Sequence, residues 1–461
     1  MTQAAQNMTT AQSTLPRYKA EMGPTPAATR FNEELIEAGY KTYNFGHGAE
    51  QESPEDVASE ILSRKFGLLP TSEELRAYVK EILSLKPKYN QLGGAVSTKQ
   101  ATADWLKRFF GIEGTVGLFP TNGRAMLGHG WSWLAQLARE AMQPNPCVLV
   151  PNTRWPMIDA QTKRKGLALV DYQMGAEGLA EQIEEALTNS QGRTITAVYI
   201  NSPHNPTGMI VTPEEMGRVM TVLEKFNTNE EWLKARGGVK VALCIDNPYF
   251  HALQRSANPR QGYLDAGLAN VLRPDTATPW YAPFSFSKAL ASAERGVTAF
   301  IAHPETYLAF SKIINEDLGP AHDKHFFSEM MAKIFAPEFD EAVLEYFADL
   351  REKYIANHAT LKRIFGDAVV QWDGSMTCLV EVSDDMFGRQ VTGKTGTRII
   401  KDLNDFIEFA GQEEGIVVVN NTMKTGPSYL RFAFATQPDR FAEGAEKLDG
   451  LYKLVMGSPK I

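Results

Sequence analysis

The strongest constraint on the fold is an alternation of short β-branched runs with helical patterns between about residues 120 and 303. Such an alternation is typical of a mostly parallel sheet with helices on both faces. The candidate strands are residues 147–150, 167–171, 196–200, 241–245 and 297–302. We therefore predict that this part of the chain is an α/β domain.

Helix starts can be placed in two segments. Thr212 is a typical N-cap residue, Pro213 stands at the first helical position, and Glu215 follows the cap by three residues. This pattern predicts a helix that runs to about Phe226. The segment Thr71-Ser72-Glu73-Glu74 predicts another capped helix ahead of the α/β domain.

The pattern changes after about residue 330. A helix is predicted over 339–365, a strand over 378–382, a helix over 397–411, short strands over 416–419 and 430–434, and a final helix. That mixture indicates a smaller α+β domain. Since single cores seldom grow beyond about 250–300 residues, a chain of 461 residues is expected to have two domains.

The predicted boundaries are a flexible N-terminal arm at 1–40, an N-terminal segment at 41–118, a large domain at 119–325 and a small domain at 326–461. The first 30 residues are rich in Thr, Ala, Gln and Pro and lack the basic start and apolar middle of a signal peptide. They are interpreted as a loose arm.

Composition excludes several classes of protein. No window approaches the roughly 18 uncharged apolar residues of a membrane span. The net charge of −8 and the lack of a long basic run argue against nucleic acid and favour a small-molecule substrate. Cys147, Cys244 and Cys378 lie in or beside hydrophobic runs without paired spacing, which indicates reduced thiols and a cytoplasmic protein. No metal site is predicted, because the histidines near the polar motifs lack metal-ligand spacing.

Three polar motifs occur in a fixed order, each just after an apolar strand-like run. They are Ser-Pro-His-Asn-Pro-Thr-Gly at 202–208, Asp-Asn-Pro-Tyr at 246–249 and Ser-Phe-Ser-Lys at 285–288, and Arg295-Gly296 follow. Ligands of open α/β sheets bind at the carboxyl ends of the strands, so these groups are expected to meet there. Taken singly, each motif also suits a turn, a helix cap or a solvated lysine.

Together the motifs supply what a phosphorylated pyridine aldehyde, pyridoxal phosphate, requires. Lys288 offers an amine for a Schiff base with the aldehyde. Asp246 offers a carboxylate that would keep the pyridine nitrogen protonated, so that the ring can accept electrons. Tyr249 and Asn205 offer donors to the phenolic oxygen of the ring.

The phosphate and the ring face make two further demands. Thr121-Asn122-Gly123-Arg124 opens a helical stretch at 125–141, and a helix start can bind a phosphate dianion. The predicted phosphate ligands are the backbone N–H groups of Asn122, Gly123 and Arg124, the hydroxyls of Ser285 and Ser287, and the cation of Arg295. Trp155 is predicted to cover the ring face, although a tryptophan beside a proline also suits plain packing.

With these motifs in this order, the chain resembles the fold-type I pyridoxal-phosphate enzymes, specifically the class I/II aminotransferases typified by aspartate aminotransferase. The resemblance covers roughly residues 40 to 455. It implies that Lys288 is the Schiff-base lysine and also the base that moves the Cα proton. Tyr89 resembles the tyrosine that reaches a phosphate in the neighbouring subunit, which implies a homodimer with shared sites and dimer contacts within 41–118.

The resemblance also implies substrate-binding residues. Arg431, in Tyr-Leu-Arg-Phe-Ala-Phe, is similar to the arginine that binds the substrate α-carboxylate through two hydrogen bonds. Pairing with an internal acid is the alternative for this residue. The segment from Tyr43 to Gly48 resembles the glycine-bearing strand that closes over the substrate, and either Gly46 or Gly48 could be that glycine.

The implied reaction moves an amino group from an α-amino acid to a 2-oxo acid. A β-decarboxylase, lyase or oxidase remains an alternative, because the fold does not fix the outcome. A non-catalytic cofactor-sensing regulator is a further alternative that would need a DNA-binding module. Two departures from the family stand out: Arg295 follows Lys288 by seven positions rather than the eight of many relatives, and Ala293-Glu294 replaces a usual glycine. No arginine that would read a second carboxylate can be picked out, so aspartate specificity is not predicted.

Overall fold

The structure is a computed structural model that describes residues 15–46, 54–67, 73, 77, 96–119, 121–174, 178–253, 263–290, 297–318, 336–421 and 427–461. Its strands form one sheet of seven strands and three smaller sheets. The strands are β1 (Tyr43–Asn44), β2 (Thr115–Phe119), β3 (Pro146–Pro151), β4 (Ala168–Tyr172), β5 (Thr194–Asn201), β6 (Ala242–Asp246), β7 (Trp280–Ser285), β8 (Thr298–Ala302), β9 (Thr377–Val382), β10 (Arg389–Gly393), β11 (Gly396–Ile400), β12 (Ile416–Val417), β13 (Val419–Asn420) and β14 (Ser428–Ala433).

Helices connect and cover these strands. In chain order the α-helices of the described residues are Pro24–Glu37, Pro54–Phe66, Val96–Phe110, Gly123–Glu140, Met157–Arg164, Leu179–Thr188, Pro213–Asn227, Glu230–Ala235, Phe286–Ala289, Pro304–Leu318, Asp340–Phe365, Leu403–Glu414 and Pro438–Met456. Within the part of the chain that the structure describes, no helix combines the length and the apolarity that crossing a bilayer requires.

The large sheet has the strand order β2-β8-β7-β6-β5-β3-β4. All its pairings are parallel except those of β8, which runs antiparallel to both of its neighbours. The predicted fold class, a mostly parallel sheet between helices with a smaller companion domain, is confirmed. The sequence analysis identified β3, β4, β5, β6 and β8 but not β2.

Both faces of the large sheet are covered, which explains why its strands are apolar throughout. Along β6, Ala242 and Cys244 contribute to one hydrophobic cluster, while Leu243 and Ile245 contribute to the other. This alternation follows from the two-residue period of a strand. Asp246 and Ser285 are the last residues of β6 and β7, where two of the predicted motifs begin.

The helix predicted after Thr212 is present as Pro213–Asn227. The Thr212 hydroxyl accepts a hydrogen bond from the Glu215 amide at 3.2 Å, as the capping pattern predicts. Of the other predicted cap, only Glu73 lies within the described residues, where it is helical.

The small domain contains the antiparallel sheet β13-β14-β9 and two long helices, Asp340–Phe365 and Pro438–Met456. The helix predicted over 397–411 is wrong at its start, because residues 397–400 lie in β11 of a β10–β11 hairpin. The helix begins instead at Leu403, where the Asp402 carboxylate accepts hydrogen bonds from the Asn404 and Asp405 amides. The β-branched residues of 397–400 favour the strand.

The described part of the predicted loose arm is ordered and packed, which corrects that prediction for residues 24–37. Pro24 starts a helix that buries Ala27, Phe31 and Leu35 completely. Their spacing of four residues places these side chains on one face, against the small domain. The sequence analysis overlooked this amphipathic pattern because proline and threonine dominate the composition around it.

Candidate active site

A cavity of about 250 Å³ lies at the carboxyl edge of the large sheet, next to β14 of the small domain. The structure brings eleven of the predicted site residues to its wall, namely Asn122, Gly123, Arg124, Trp155, Asn205, Asp246, Tyr249, Ser285, Ser287, Lys288 and Arg431. Gly46 lies just behind this wall, in contact with Arg431. Three predicted residues, Gly48, Tyr89 and Arg295, lie outside the described residues.

Asp246 is the last residue of β6 and is only 6% exposed. The Tyr199 hydroxyl, on neighbouring β5, donates a hydrogen bond to its carboxylate at 2.8 Å. Burial raises the pKa of Asp246 to about 7, and the hydrogen bond from Tyr199 opposes that rise only in part. A cationic group beside this carboxylate would therefore be strongly favoured.

Asn205 lies in the loop after β5, held by Asn201. The Asn201 side chain accepts from the Asn205 amide at 2.8 Å and donates to the Asp246 carbonyl at 3.0 Å, so it ties two strand ends together. The Asn205 side chain also bonds Tyr249, whose pKa burial raises to about 12. Asn205 Oδ1 is buried without a hydrogen-bond partner among the described residues, which marks a place for a ligand.

An anion cradle lies where the Gly123–Glu140 helix begins. Asn122 caps this helix by accepting a hydrogen bond from the Ala125 amide at 2.9 Å. The Gly123 amide points to the Ser285 hydroxyl at 3.4 Å, and that hydroxyl donates to Ser287 at 3.1 Å. A Cβ added at Gly123 would lie 2.9 Å from the Ser285 Cβ, so only glycine allows this close approach. Backbone N–H groups at a helix start, with hydroxyls beside them, suit a phosphate.

Lys288 lies on the short helix Phe286–Ala289, which directly follows β7. Strand β7 ends at Ser285, and the Ser285 side chain caps the helix by accepting a hydrogen bond from the Ser287 amide. Lys288 is half-buried and lines the cavity. This lysine is thus presented at the sheet edge, as predicted.

Trp155 and Arg124 form another part of the cavity wall. The Arg124 guanidinium lies 5.9 Å from the centre of the Trp155 ring. The sequence analysis considered only the backbone of Arg124, whereas its exposed side chain also contributes to the wall.

Arg431 projects from β14 and is 5% exposed. It donates to the Gly46 carbonyl at 3.2 Å, and its Nε is buried without a partner among the described residues. Burial lowers the pKa of its guanidinium. Within the described part of the chain no carboxylate forms an ion pair with Arg431, so the alternative of an internal acid finds no support there. A buried guanidinium in such surroundings favours a carboxylate ligand.

Gly46 lies in a tightly packed position. A Cβ at this position would lie 2.9 Å from the Ala28 Cβ and 3.2 Å from Val419. The backbone of Gly46 is therefore wedged between the N-terminal helix and the small domain.

Comparisons with known proteins agree with this geometry. Residues 73–228 match the family model "Aminotransferase class I and II". An L-glutamine–4-(methylsulfanyl)-2-oxobutanoate aminotransferase of Bacillus subtilis is 26% identical over 198 residues, which span 40% of this chain and 42% of that protein. Over residues 73–228 this chain is similar to the class I and II aminotransferases.

Solved structures of aminotransferases share the fold of this chain at low sequence identity. The aspartate aminotransferase of Rhizobium meliloti has a TM-score of 0.66 and 17% identity, over 93% of this chain and 95% of that chain. The N-succinyldiaminopimelate aminotransferase of Mycobacterium tuberculosis has a TM-score of 0.63 and 16% identity, over 90% and 94% of the two chains.

Two groups of residues near the cavity were missed by the sequence analysis. Tyr199 lies within the apolar run 196–200, but it shares a strand face with Asn201, and that shared face is the signal. The N-terminal arm also reaches the site, since Thr25 lines the cavity. Tyr18 is buried, its hydroxyl donates to the Pro24 carbonyl at 3.3 Å, and burial raises its pKa to about 12 while the charge of Arg431 opposes the rise.

Proposed function

We propose that the protein is a pyridoxal-phosphate-dependent aminotransferase that moves an amino group from an α-amino acid to a 2-oxo acid. One observation carries this proposal: an amine, a buried carboxylate and a buried guanidinium, from Lys288, Asp246 and Arg431, line the same cavity. The match of residues 73–228 to the aminotransferase family model supports it, and the similar protein of Bacillus subtilis is named as an aminotransferase of L-glutamine and a 2-oxobutanoate. No observation in the structure favours a decarboxylase, lyase, oxidase or regulator.

The cavity residues fit the proposed cofactor. The Gly123 amide and the hydroxyls of Ser285 and Ser287 lie together at the helix start, where they would bind a phosphate. The buried Asp246 carboxylate suits a protonated ring nitrogen. When bound, pyridoxal phosphate supplies an electron sink for the bonds of the substrate Cα.

Each residue then has a definite task. Lys288 would hold the cofactor through its amine and, when that amine is free, would accept and return the Cα proton. Asp246, oriented by Tyr199, would hold positive charge at the ring nitrogen. Arg431 binds the substrate α-carboxylate in two parallel hydrogen bonds and so orients the Cα.

The test is a half-reaction with purified protein that has been loaded with pyridoxal phosphate. Each amino acid is added alone, and both the visible absorbance and the matching 2-oxo acid are followed. We expect at least one amino acid to remove the visible band with one equivalent of 2-oxo acid formed. Lys288→Ala should abolish this conversion and Lys312→Ala, at an exposed helical site, should not. Release of carbon dioxide or ammonia in place of the 2-oxo acid would contradict the proposal.

We also propose a cytoplasmic homodimer with shared sites, as the family resemblance implies. The three cysteines are buried and free, which suits a reducing compartment. Tyr89→Phe should weaken retention of the cofactor phosphate, and mixing it with inactive Lys288→Ala protein should restore part of the activity if Tyr89 serves the neighbouring site. No recovery, with subunit exchange shown independently, would contradict shared sites.

A further inference from the structure

The loop before β9, which contains Asp373, is hydrogen-bonded to the loop after β5, which carries Asn205. The Asp373 amide donates a hydrogen bond to the Gly208 carbonyl at 3.1 Å. The Asp373 carboxylate accepts one from the Ile210 amide at 3.0 Å. Two hydrogen bonds of opposite direction therefore join these loops, which come from different domains.

Trp372 packs over the same loop. Gly208 has a φ of +82°, and a Cβ added there would lie 2.2 Å from Trp372 Cδ1 and 2.5 Å from the Thr377 carbonyl. The indole is itself fixed, because it stacks on His358 at 4.3 Å and donates to the Ser375 carbonyl at 2.9 Å. The Trp372 indole is therefore held in place, and the backbone of Gly208 packs directly against it.

Hydrogen bonds within the Asn205 loop also make that loop rigid. The His204 amide donates to the Met209 carbonyl and the Gly208 amide donates to the His204 carbonyl, both at 2.8 Å. The Val211 amide donates to the Ser202 hydroxyl at 3.1 Å. A displacement at Gly208 or Ile210 would consequently be passed on to Asn205.

The loop that contains Asp373 leads directly into the sheet that carries Arg431. Thr377 opens β9, which pairs with β14, and Leu379 lies opposite Arg431 in that pairing. The contact thus connects Asn205 in the large domain to Arg431 in the small domain through a short, hydrogen-bonded path.

We propose that Asp373 and Trp372 are positioning residues that fix the separation between Asn205 and Arg431. This inference rests on the proposed function, in which Asn205 contacts the cofactor and Arg431 binds the substrate carboxylate. Asp373 and Trp372 themselves do not line the cavity. They keep Asn205 and Arg431 at a fixed separation, so that the cofactor and the substrate carboxylate are correctly placed relative to each other. A misplacement of about 1 Å can cost roughly a hundredfold in rate.

The test compares Asp373→Ala with Asp373→Asn, because an asparagine oxygen can still accept from the Ile210 amide. Asp367→Ala, at an exposed acid of the same domain, is the control. Hydrogen exchange of the Ile210 amide in the cofactor-free protein should accelerate about tenfold or more in Asp373→Ala, as expected for one lost hydrogen bond to a charged acceptor. Asp373→Asn should recover most of this protection, and Asp367→Ala should leave it unchanged.

With the cofactor bound, kcat/KM for the best amino acid should fall by about ten- to a hundredfold in Asp373→Ala. Urea unfolding of that variant should remain cooperative, with a loss of stability of about 1.4 kcal/mol, which is the equivalent of a tenfold change in exchange. Trp372→Ala tests the packing half of the contact and should lower kcat/KM in the same way.

The outcomes separate this inference from the proposed function. If wild-type protein converts no amino acid, the proposed function fails, and Ile210 exchange still decides whether the loops are coupled. If wild-type protein is active but both Asp373→Ala and Trp372→Ala match it in kcat/KM, the positioning role is wrong. Unchanged Ile210 exchange in Asp373→Ala would overturn the contact itself.

Discussion

The Tyr199 hydroxyl donates to the Asp246 carboxylate at 2.8 Å, between the adjacent parallel strands β5 and β6. Both side chains are buried, and both line the cavity. Asp246 is thus oriented by the sheet itself rather than by a loop, which suits a carboxylate that must face one atom of a ligand.

Tyr199→Phe tests this relationship. Removing the hydroxyl leaves the Asp246 carboxylate without that donor, so we expect pyridoxal phosphate to bind about tenfold more weakly. Tyr263→Phe is a matched control, because Tyr263 is also buried and its hydroxyl donates to the His251 carbonyl at 2.6 Å. The control should lose stability without losing cofactor affinity. Equal cofactor affinity in wild type and Tyr199→Phe would contradict the orienting role.

Asp246 should also give the cofactor-free protein a characteristic pH dependence. Its pKa rises from 3.8 to about 7 on folding, so the folded protein retains a proton that the unfolded chain releases in this range. The Asp246 contribution to stability is therefore present below about pH 4 and is lost as pH rises to about 7.

Asp246→Asn should remove this dependence, because an amide does not titrate. Relative to wild type, the cofactor-free variant should gain stability between pH 4 and pH 8, by up to roughly 4 kcal/mol at about 1.36 kcal/mol per pKa unit. Urea unfolding of both proteins across this range measures the effect. Parallel stability curves would contradict the raised pKa.

The anion cradle can be closed by a single methyl group. Gly123→Ala places a Cβ 2.9 Å from the Ser285 Cβ, so we expect the cofactor to be retained at least about tenfold more weakly. Gly128→Ala is the control in the same helix, where the added Cβ would meet Gln161 at an ordinary 3.6 Å. That variant should bind the cofactor normally and gain up to about 1 kcal/mol of stability. Equal cofactor retention in the two variants would rule out the cradle as the phosphate site.

Arg431→Lys should impair recognition of the substrate carboxylate, because an ammonium cannot copy the paired geometry of a guanidinium. We expect KM for α-amino acids to rise by about one to two orders of magnitude, in keeping with loss of roughly 1.5–3 kcal/mol for a charged hydrogen bond. The preference over simple amines of the same side chain should also be lost, while the cofactor spectrum stays as in wild type. Unchanged KM together with lower stability would show that Arg431 is structural.

The sequence predicted the strand ends of the site well, because polar motifs interrupt otherwise apolar runs there. Asn205, Asp246 and Lys288 could be placed on one sheet edge for that reason. Composition alone does not identify Tyr199 as a site residue, since an aromatic residue within an apolar strand also suits the core.

Contacts between distant segments left weaker signals. Trp372 and Asp373 gain their place against Gly208 only through the packing of the two domains. Thr25 reaches the cavity because the Pro24–Glu37 helix packs on the small domain. The sequence analysis did not predict this helix, because the composition of the first 30 residues suggested a loose arm. The roles predicted for Gly48, Tyr89 and Arg295 remain predictions, since these residues lie outside the described part of the chain.

The most direct measurement of the central claim is the site of covalent attachment. Protein loaded with pyridoxal phosphate is reduced with borohydride, digested and mapped by mass spectrometry. We predict one equivalent of pyridoxyl adduct on Lys288, and no adduct when the same treatment is applied to Lys288→Ala. An adduct on another lysine, such as Lys99 or Lys312, with Lys288 unmodified, would contradict the account.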